Sequence, residues 1–195
     1  DSYYKIMTKL VETLIKAEKI SGLVCLGGSG LGKSFNTIKA LSDLGLKKGE
    51  DYEILSSWVT PMELYKFLYE NRAKNKITIL DDVSGIFANK INIGIILSAL
   101  WGEGKRIVHY HSSSSKLEVP TSFIYEGKMV WCVNSLPQEL ESVKSRCFFY
   151  ELKFNYAEKI KLLYEIAKLQ EIPLEIVDFL KENTDENTPN FDFRL

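Results

Sequence analysis

The residues most able to do chemistry are Gly27-Gly28-Ser29-Gly30-Leu31-Gly32-Lys33-Ser34. Their spacing is G-x-x-x-x-G-K-[ST], the pattern of a phosphate-binding loop (Walker A). The glycines let the backbone curl so that several N–H groups point at one phosphate chain. A helix starting behind the loop, through Phe35, adds partial positive charge at its N-terminus. Lys33 is placed to reach the β- and γ-phosphates, and the Ser34 hydroxyl to ligate a magnesium ion. A nucleoside triphosphate with Mg²⁺ is the ligand pair this chemistry suits.

Two further groups stand out. Ile77-Thr78-Ile79-Leu80-Asp81-Asp82 is an apolar run that ends in two acids, a Walker B pattern. The first acid, Asp81, is the expected Mg²⁺ ligand, and Asp82 is the carboxylate expected nearest the attacking water. Glu103 is the alternative water-polarising acid. The second group is cationic: Lys105, Arg106, His109, His111 and Lys116 crowd one short segment beside four serines, Ser112 to Ser115. Small donors beside cations suit phosphate oxygens of a nucleic acid. His109 and His111, two apart, share one side of a strand. They could instead begin a metal site, but no third ligand of suitable type lies close by.

Elements must hold these residues in place. Leu23 to Leu26 reads as a buried strand feeding the loop, and Phe35, Ile38 and Leu41 fall at helical spacing after it. Residues 3–20 read as an amphipathic helix with Ile6, Leu10, Val11, Leu14 and Ile15 inward. Tyr52 to Trp58 reads as a strand. Thr60-Pro61-Met62-Glu63 is a capped helix start, running to about Arg72. Ile91 to Trp101 reads as a largely buried helix. Two short strands, Arg106 to His111 and Ser122 to Tyr125, flank the serine loop. Met129 to Val133 is a buried strand closed by Asn134. Residues 138–145 read as a short helix, and Cys147 to Leu152 as the last strand. Beyond it, Asn155 with Glu158 caps one helix, Pro173 opens a second, and Asn190 caps a third that contains Arg194. Five strands with helices between them imply a doubly wound parallel sheet with helices on both faces, and ligands at the carboxyl ends of its strands.

The chain has 195 residues, 45% of them hydrophobic, which suits one α/β domain and a small appendage. A net charge of −1 excludes a surface that attracts polyanions as a whole, so any nucleic-acid contact must be a local patch. Cys25, Cys132 and Cys147 lie far apart in apolar runs and read as reduced core thiols of a cytoplasmic compartment. No apolar run approaches a membrane span of about 18 residues. The chain opens at Asp1 and stops at Leu195 inside a helical run, so a piece of a longer protein is expected.

With these motifs in hand, the sequence resembles the AAA+ ATPases over nearly its whole length. The matching parts are the two Walker motifs, Asn134 at the end of the fourth strand, and Ser145-Arg146-Cys147, similar to the arginine-finger motif of clamp-loader subunits. The layout around Val119-Pro120 and Asn134 to Pro137 looks like ATPases of phages and other mobile elements. The resemblance implies an α/β P-loop core over residues 1–154, a five-stranded parallel sheet, and an incomplete C-terminal helical lid over 155–195. It implies that Asn134 is sensor 1, that Arg146 reaches a neighbouring subunit's nucleotide, and that Arg194 is sensor 2. It also implies self-assembly into a hexamer-like ring in the cytoplasm of a prokaryotic or virus-infected cell, without a membrane partner. One departure is Asp82, where most members carry Glu. Superfamily 3 viral helicases accept paired Asp there, and they insert a hairpin before the sensor 1 strand, as residues 106–127 could. The expected function is an oligomeric Mg·ATP-hydrolysing motor or switch acting on DNA as a helicase, loader or remodeller. The alternatives are an ATP-driven remodeller of protein, requiring a partner protein, and a P-loop nucleotide kinase.

Overall fold

The computed structural model describes residues 3–83, 85–111, 118–136 and 141–188. Its elements are α1 (Tyr3–Lys16), β1 (Gly22–Gly27), α2 (Lys33–Asp43), β2 (Tyr52–Ser56), α3 (Pro61–Glu70) and β3 (Ile77–Asp81). Then come α4 (Gly85–Ala88), α5 (Lys90–Leu100), β4 (Ile107–His109), β5 (Ser122–Ile124) and β6 (Lys128–Val133). The chain closes with α6 (Glu141–Lys144), β7 (Phe148–Leu152), α7 (Tyr156–Leu169) and α8 (Leu174–Asn183).

Five strands form one parallel sheet in the order β2-β3-β6-β1-β7. The period of two sends alternate residues to opposite faces. Leu23, Cys25, Ile77, Ile79, Val130 and Cys132 face α1, α2 and α7, while Val24, Leu80, Met129, Trp131 and Val133 face α3 and α5. Helices on both faces explain why these strands read as continuous apolar runs. All three cysteines are buried and free.

Local rules fix the helix ends. Thr60 and Glu63 form a reciprocal capping box at α3, with Pro61 in its first turn, and Asn155 and Glu158 form another at α7. Gly45, with φ 81°, follows α2 and hands the Leu46 N–H to the Leu41 carbonyl. In α1 the buried stripe is Tyr3, Met7, Val11 and Leu14, whereas Ile15 is exposed and Ile6 and Leu10 are only half-buried. The expected stripe was therefore rotated: Tyr3 enters the core by packing on Tyr150 and Phe154, which no local pattern reveals. The second strand ends at Ser56, because Ser57 takes a φ of 70°. α4 was not expected.

β4 and β5 form a separate antiparallel pair inserted between α5 and β6. Val108 and Phe123 are buried, and the Tyr65 ring of α3 packs on Phe123 at 5.0 Å and Tyr110 at 5.3 Å. The Tyr65 hydroxyl donates to the Pro120 carbonyl at 2.6 Å. The pair is anchored along one side, and its strands are shorter than the sequence suggested. The C-terminal helices α7 and α8 pack through Ile160, Leu163, Ala167, Val177 and Leu180. Residues 189–195, with the helix expected at Asn190 and with Arg194, lie outside the described residues.

Candidate nucleotide site

β1 delivers the chain to the loop, and the loop delivers Lys33 to the first turn of α2. Gly27 lies so close to Leu152 that a Cβ there would stand 2.8 Å from the Leu152 Cβ. Gly30 and Gly32 have φ of 71° and 69°, the left-handed region that a side chain disfavours. Lys33 is buried, and its Nζ donates to the carbonyls of Gly27 at 2.8 Å and Gly28 at 2.7 Å. It also donates to Asn134 Oδ1 at 2.9 Å.

The sheet order makes that last contact. β6 runs between β1 and β3, so Asn134 stands between the loop and the two acids. Asn134 Nδ2 donates to Asp82 Oδ1 at 3.0 Å. The Ser34 hydroxyl donates to Asp81 Oδ1. Two oxygen ligands of this kind, a hydroxyl and a carboxylate, suit a small hard cation such as Mg²⁺. Asp82 has a φ of 50°, a region uncommon for residues other than glycine. Its N–H donates to the Cys132 carbonyl at 3.2 Å, which helps hold that conformation.

These groups line a cavity of about 690 Å³, with Gly30, Leu31, Gly32 and Phe35 along the loop. Ile166 and Gln170, at the end of α7, close one side. The volume and the donor set fit a nucleoside triphosphate with its metal. Ser56, Ser57, Trp58, Ile166 and Gln170 line the cavity without having been singled out from sequence as site residues. Trp58 is 68% exposed and packs its ring against Gly85, where a Cβ would meet Cε3 at 2.8 Å. The available signal was a tryptophan just before the Thr60 helix cap, at the carboxyl end of a strand.

Other expected residues lie elsewhere. β7 runs from Phe148 beside Leu23 to Leu152 beside Gly27, about 13 Å at the usual strand rise. Arg146 precedes that strand, so it sits at the end of the sheet opposite the loop, with Cζ 5.2 Å from the Trp101 ring centroid. Glu103 is also at the strand-start end, because Leu100 packs on Gly22 and the Glu103 carbonyl accepts from the Lys105 N–H in the turn that follows. It is not placed to polarise water beside Asp82. Arg106 turns inward, with Nη1 donating to the carbonyls of Ala99 at 2.9 Å and Gly127 at 3.0 Å. It holds the root of the β4–β5 pair rather than presenting a cation on its surface. His109 and His111 are exposed, with ring centroids 6.4 Å apart. Lys105 is exposed, and Lys116 and the serine loop lie outside the described residues.

The sheet order, the loop and the paired acids define a class: the fold is that of the AAA+ P-loop ATPases. The solved structures it resembles include the RuvB Holliday junction branch migration motor of Thermotoga maritima. There the TM-score is 0.51 at 16% identity, over 86% of this chain and 50% of that one. The ORC1 protein of Aeropyrum pernix, solved in complex with DNA, gives 0.50 at 12% identity, over 92% and 54%. In sequence, the chain is 23% identical over 176 residues to an uncharacterised 36.7 kDa protein of Enterobacteria phage T4, covering 83% of this chain and 54% of that protein. The chain thus spans about half the length of these relatives. No family model matches the sequence. Among the described residues, no helix is long and apolar enough to cross a membrane.

Proposed function

We propose that this chain is the ATP-hydrolysing part of an oligomeric AAA+ assembly that acts on DNA. The observation that carries the reading is the bridge at Asn134, which joins Lys33 to Asp82 across three strands. Lys33 would exchange its carbonyl partners for phosphate oxygens when ATP enters. Ser34 and Asp81 would hold Mg²⁺, which supplies charge neutralisation between the β- and γ-phosphates. Asp82 would accept a hydrogen bond from the attacking water, with its carboxylate fixed in orientation by the Asn134 amide.

The position of Arg146 supports shared sites. It is too far from its own loop to serve it, and an arginine at the opposite end of the sheet is available to a neighbouring subunit. That same position weighs against a nucleotide kinase, which closes arginines over its phosphates within one chain. DNA as the substrate is supported by the exposed Lys105, His109 and His111, and by likeness in fold to a branch migration motor and to a protein bound to DNA. The test is ATP hydrolysis with and without single- and double-stranded DNA, alongside mass in solution with ATP. The expected result is DNA-stimulated turnover by a ring-sized species. Turnover by an assembly that DNA never stimulates would favour a protein substrate, and a strict monomer that phosphorylates nucleotides would sink the reading.

A further inference from the structure

The strand-start face of the sheet carries a groove of about 510 Å³. Its walls come from the end of α1, the segment before β3, the turn after α5 and the start of β6. Five cations border it, Lys16, Lys74, Lys105, Arg106 and Lys128, against two carboxylates, Glu18 and Glu126. In a chain of net charge −1, that excess is local.

The cations form two tiers. Arg106 and Lys128 make the floor. Arg106 is tied to the Ala99 and Gly127 carbonyls, with its guanidinium 5.2 Å from the Tyr125 ring centroid. Lys128 Nζ donates to the carbonyls of Ile20, at 2.8 Å, and Ala17. These charges are fixed by the fold and partly withdrawn from water. Burial lowers the pKa of both, and Arg106 and Lys74 lower that of Lys128 further. The fold thus holds like charges together at a cost that an anion in the groove would offset. Lys16, Lys74 and Lys105 make the rim. All three are exposed, and among the described residues none enters an ion pair.

We propose that this groove binds the phosphodiester backbone of nucleic acid. Its rim ammonium groups stand on separate segments, whereas the Gly28–Ser34 loop gathers its donors on a single point. Flexible point charges spaced along a groove match a row of phosphates and position a strand without reading its bases. Ile15 and Ile124, 39% and 42% exposed, offer apolar ground beside them for sugar faces. The inference rests on the DNA-directed reading above and assigns that reading a surface on the far side of the sheet from the nucleotide.

The experiment is fluorescence anisotropy of a labelled single-stranded oligonucleotide with the full chain at low salt, repeated up a salt series. The double reversal Lys16→Glu/Lys74→Glu is compared with the parent and with Lys16→Arg/Lys74→Arg. The reversal is expected to weaken binding about tenfold or more and to flatten the salt dependence, as lost phosphate contacts do. The arginine pair should bind like the parent, and basal ATP hydrolysis should be unchanged in both. If the parent binds DNA and the reversal binds it equally well, the groove is not the contact, and the DNA-directed reading survives on another surface. If the parent shows no binding at low salt, both fall and only the ATPase reading stands. If sodium phosphate displaces the strand far better than sodium chloride of equal ionic strength, the groove is a small-anion site and the proposal is overturned.

Discussion

Asn134 Nδ2 donates to Asp82 Oδ1 at 3.0 Å, while the other end of the same amide accepts from Lys33. One side chain thus fixes the orientation of the acid beside the expected water and touches the cation expected on the γ-phosphate. Asn134→Ala would free Asp82 while leaving the loop and Asp81 in place. We expect nucleotide affinity to stay within a few-fold and turnover to fall about a hundredfold, the scale of a small misplacement of a catalytic group. Binding of a fluorescent ATP analogue and steady-state hydrolysis measure the two separately.

Asp82→Asn isolates the charge. Asparagine tolerates the left-handed backbone that Asp82 adopts, so the variant removes the carboxylate without adding strain. Nucleotide binding should survive and turnover drop strongly. Equal losses in both would instead make Asp82 a metal holder. Lys33→Ala, by contrast, should abolish turnover, and hydrolysis within about twofold of the parent would remove Lys33 from the site.

What was legible in the sequence was local or periodic. The loop glycines, the strand ending in Asp81 and the capping box at Thr60 each announce themselves within a few neighbours. The five-stranded sheet followed from strands alternating with helices. The Lys33–Asn134 contact did not, since it joins residues far apart in sequence and exists only because β6 lies between β1 and β3. The setting of Arg106 was hidden for a similar reason: a cation in a basic segment looks wholly solvent-facing until the carbonyls of Ala99 and Gly127 are seen beside it. Glu103 followed the right helix but at the wrong end of the sheet. The α1 stripe shifted because aromatic partners from β7 and the segment after it drew Tyr3 inward.

Helix α7 offers a test of stability tied to the site. Asn155 Oδ1 accepts from the Glu158 N–H at 2.9 Å, and Glu158 Oε2 accepts from the Asn155 N–H at 2.9 Å. The helix so capped carries Ile166, and Gln170 follows at its end, both against the nucleotide cavity. Asn155→Ala should destabilise the chain by about 1 kcal/mol in urea unfolding, with Asn155→Ser close to the parent. An alanine variant as stable as the parent would mean that α7 is held by packing alone.

Arg146 gives the sharpest test of assembly. Its backbone N–H donates to the Val143 carbonyl at 3.0 Å, and its guanidinium rests over Trp101, pointing the cation away from the loop of its own chain. A cation delivered to a neighbour's γ-phosphate stabilises the charge that develops there, worth about 10³–10⁵ in rate in phosphoryl-transfer systems. Arg146→Ala alone should therefore bind nucleotide normally and turn over very slowly. Lys33→Ala alone has a dead site but an intact Arg146. In a mixture, some interfaces pair an intact loop from the first variant with an intact arginine from the second, so activity should reappear where neither variant has any. The recovery should peak near equal proportions and vanish on dilution below the concentration at which rings form. A mixture shown by mass to co-assemble, yet with no activity above the sum of its parts, would place Arg146 outside the shared site.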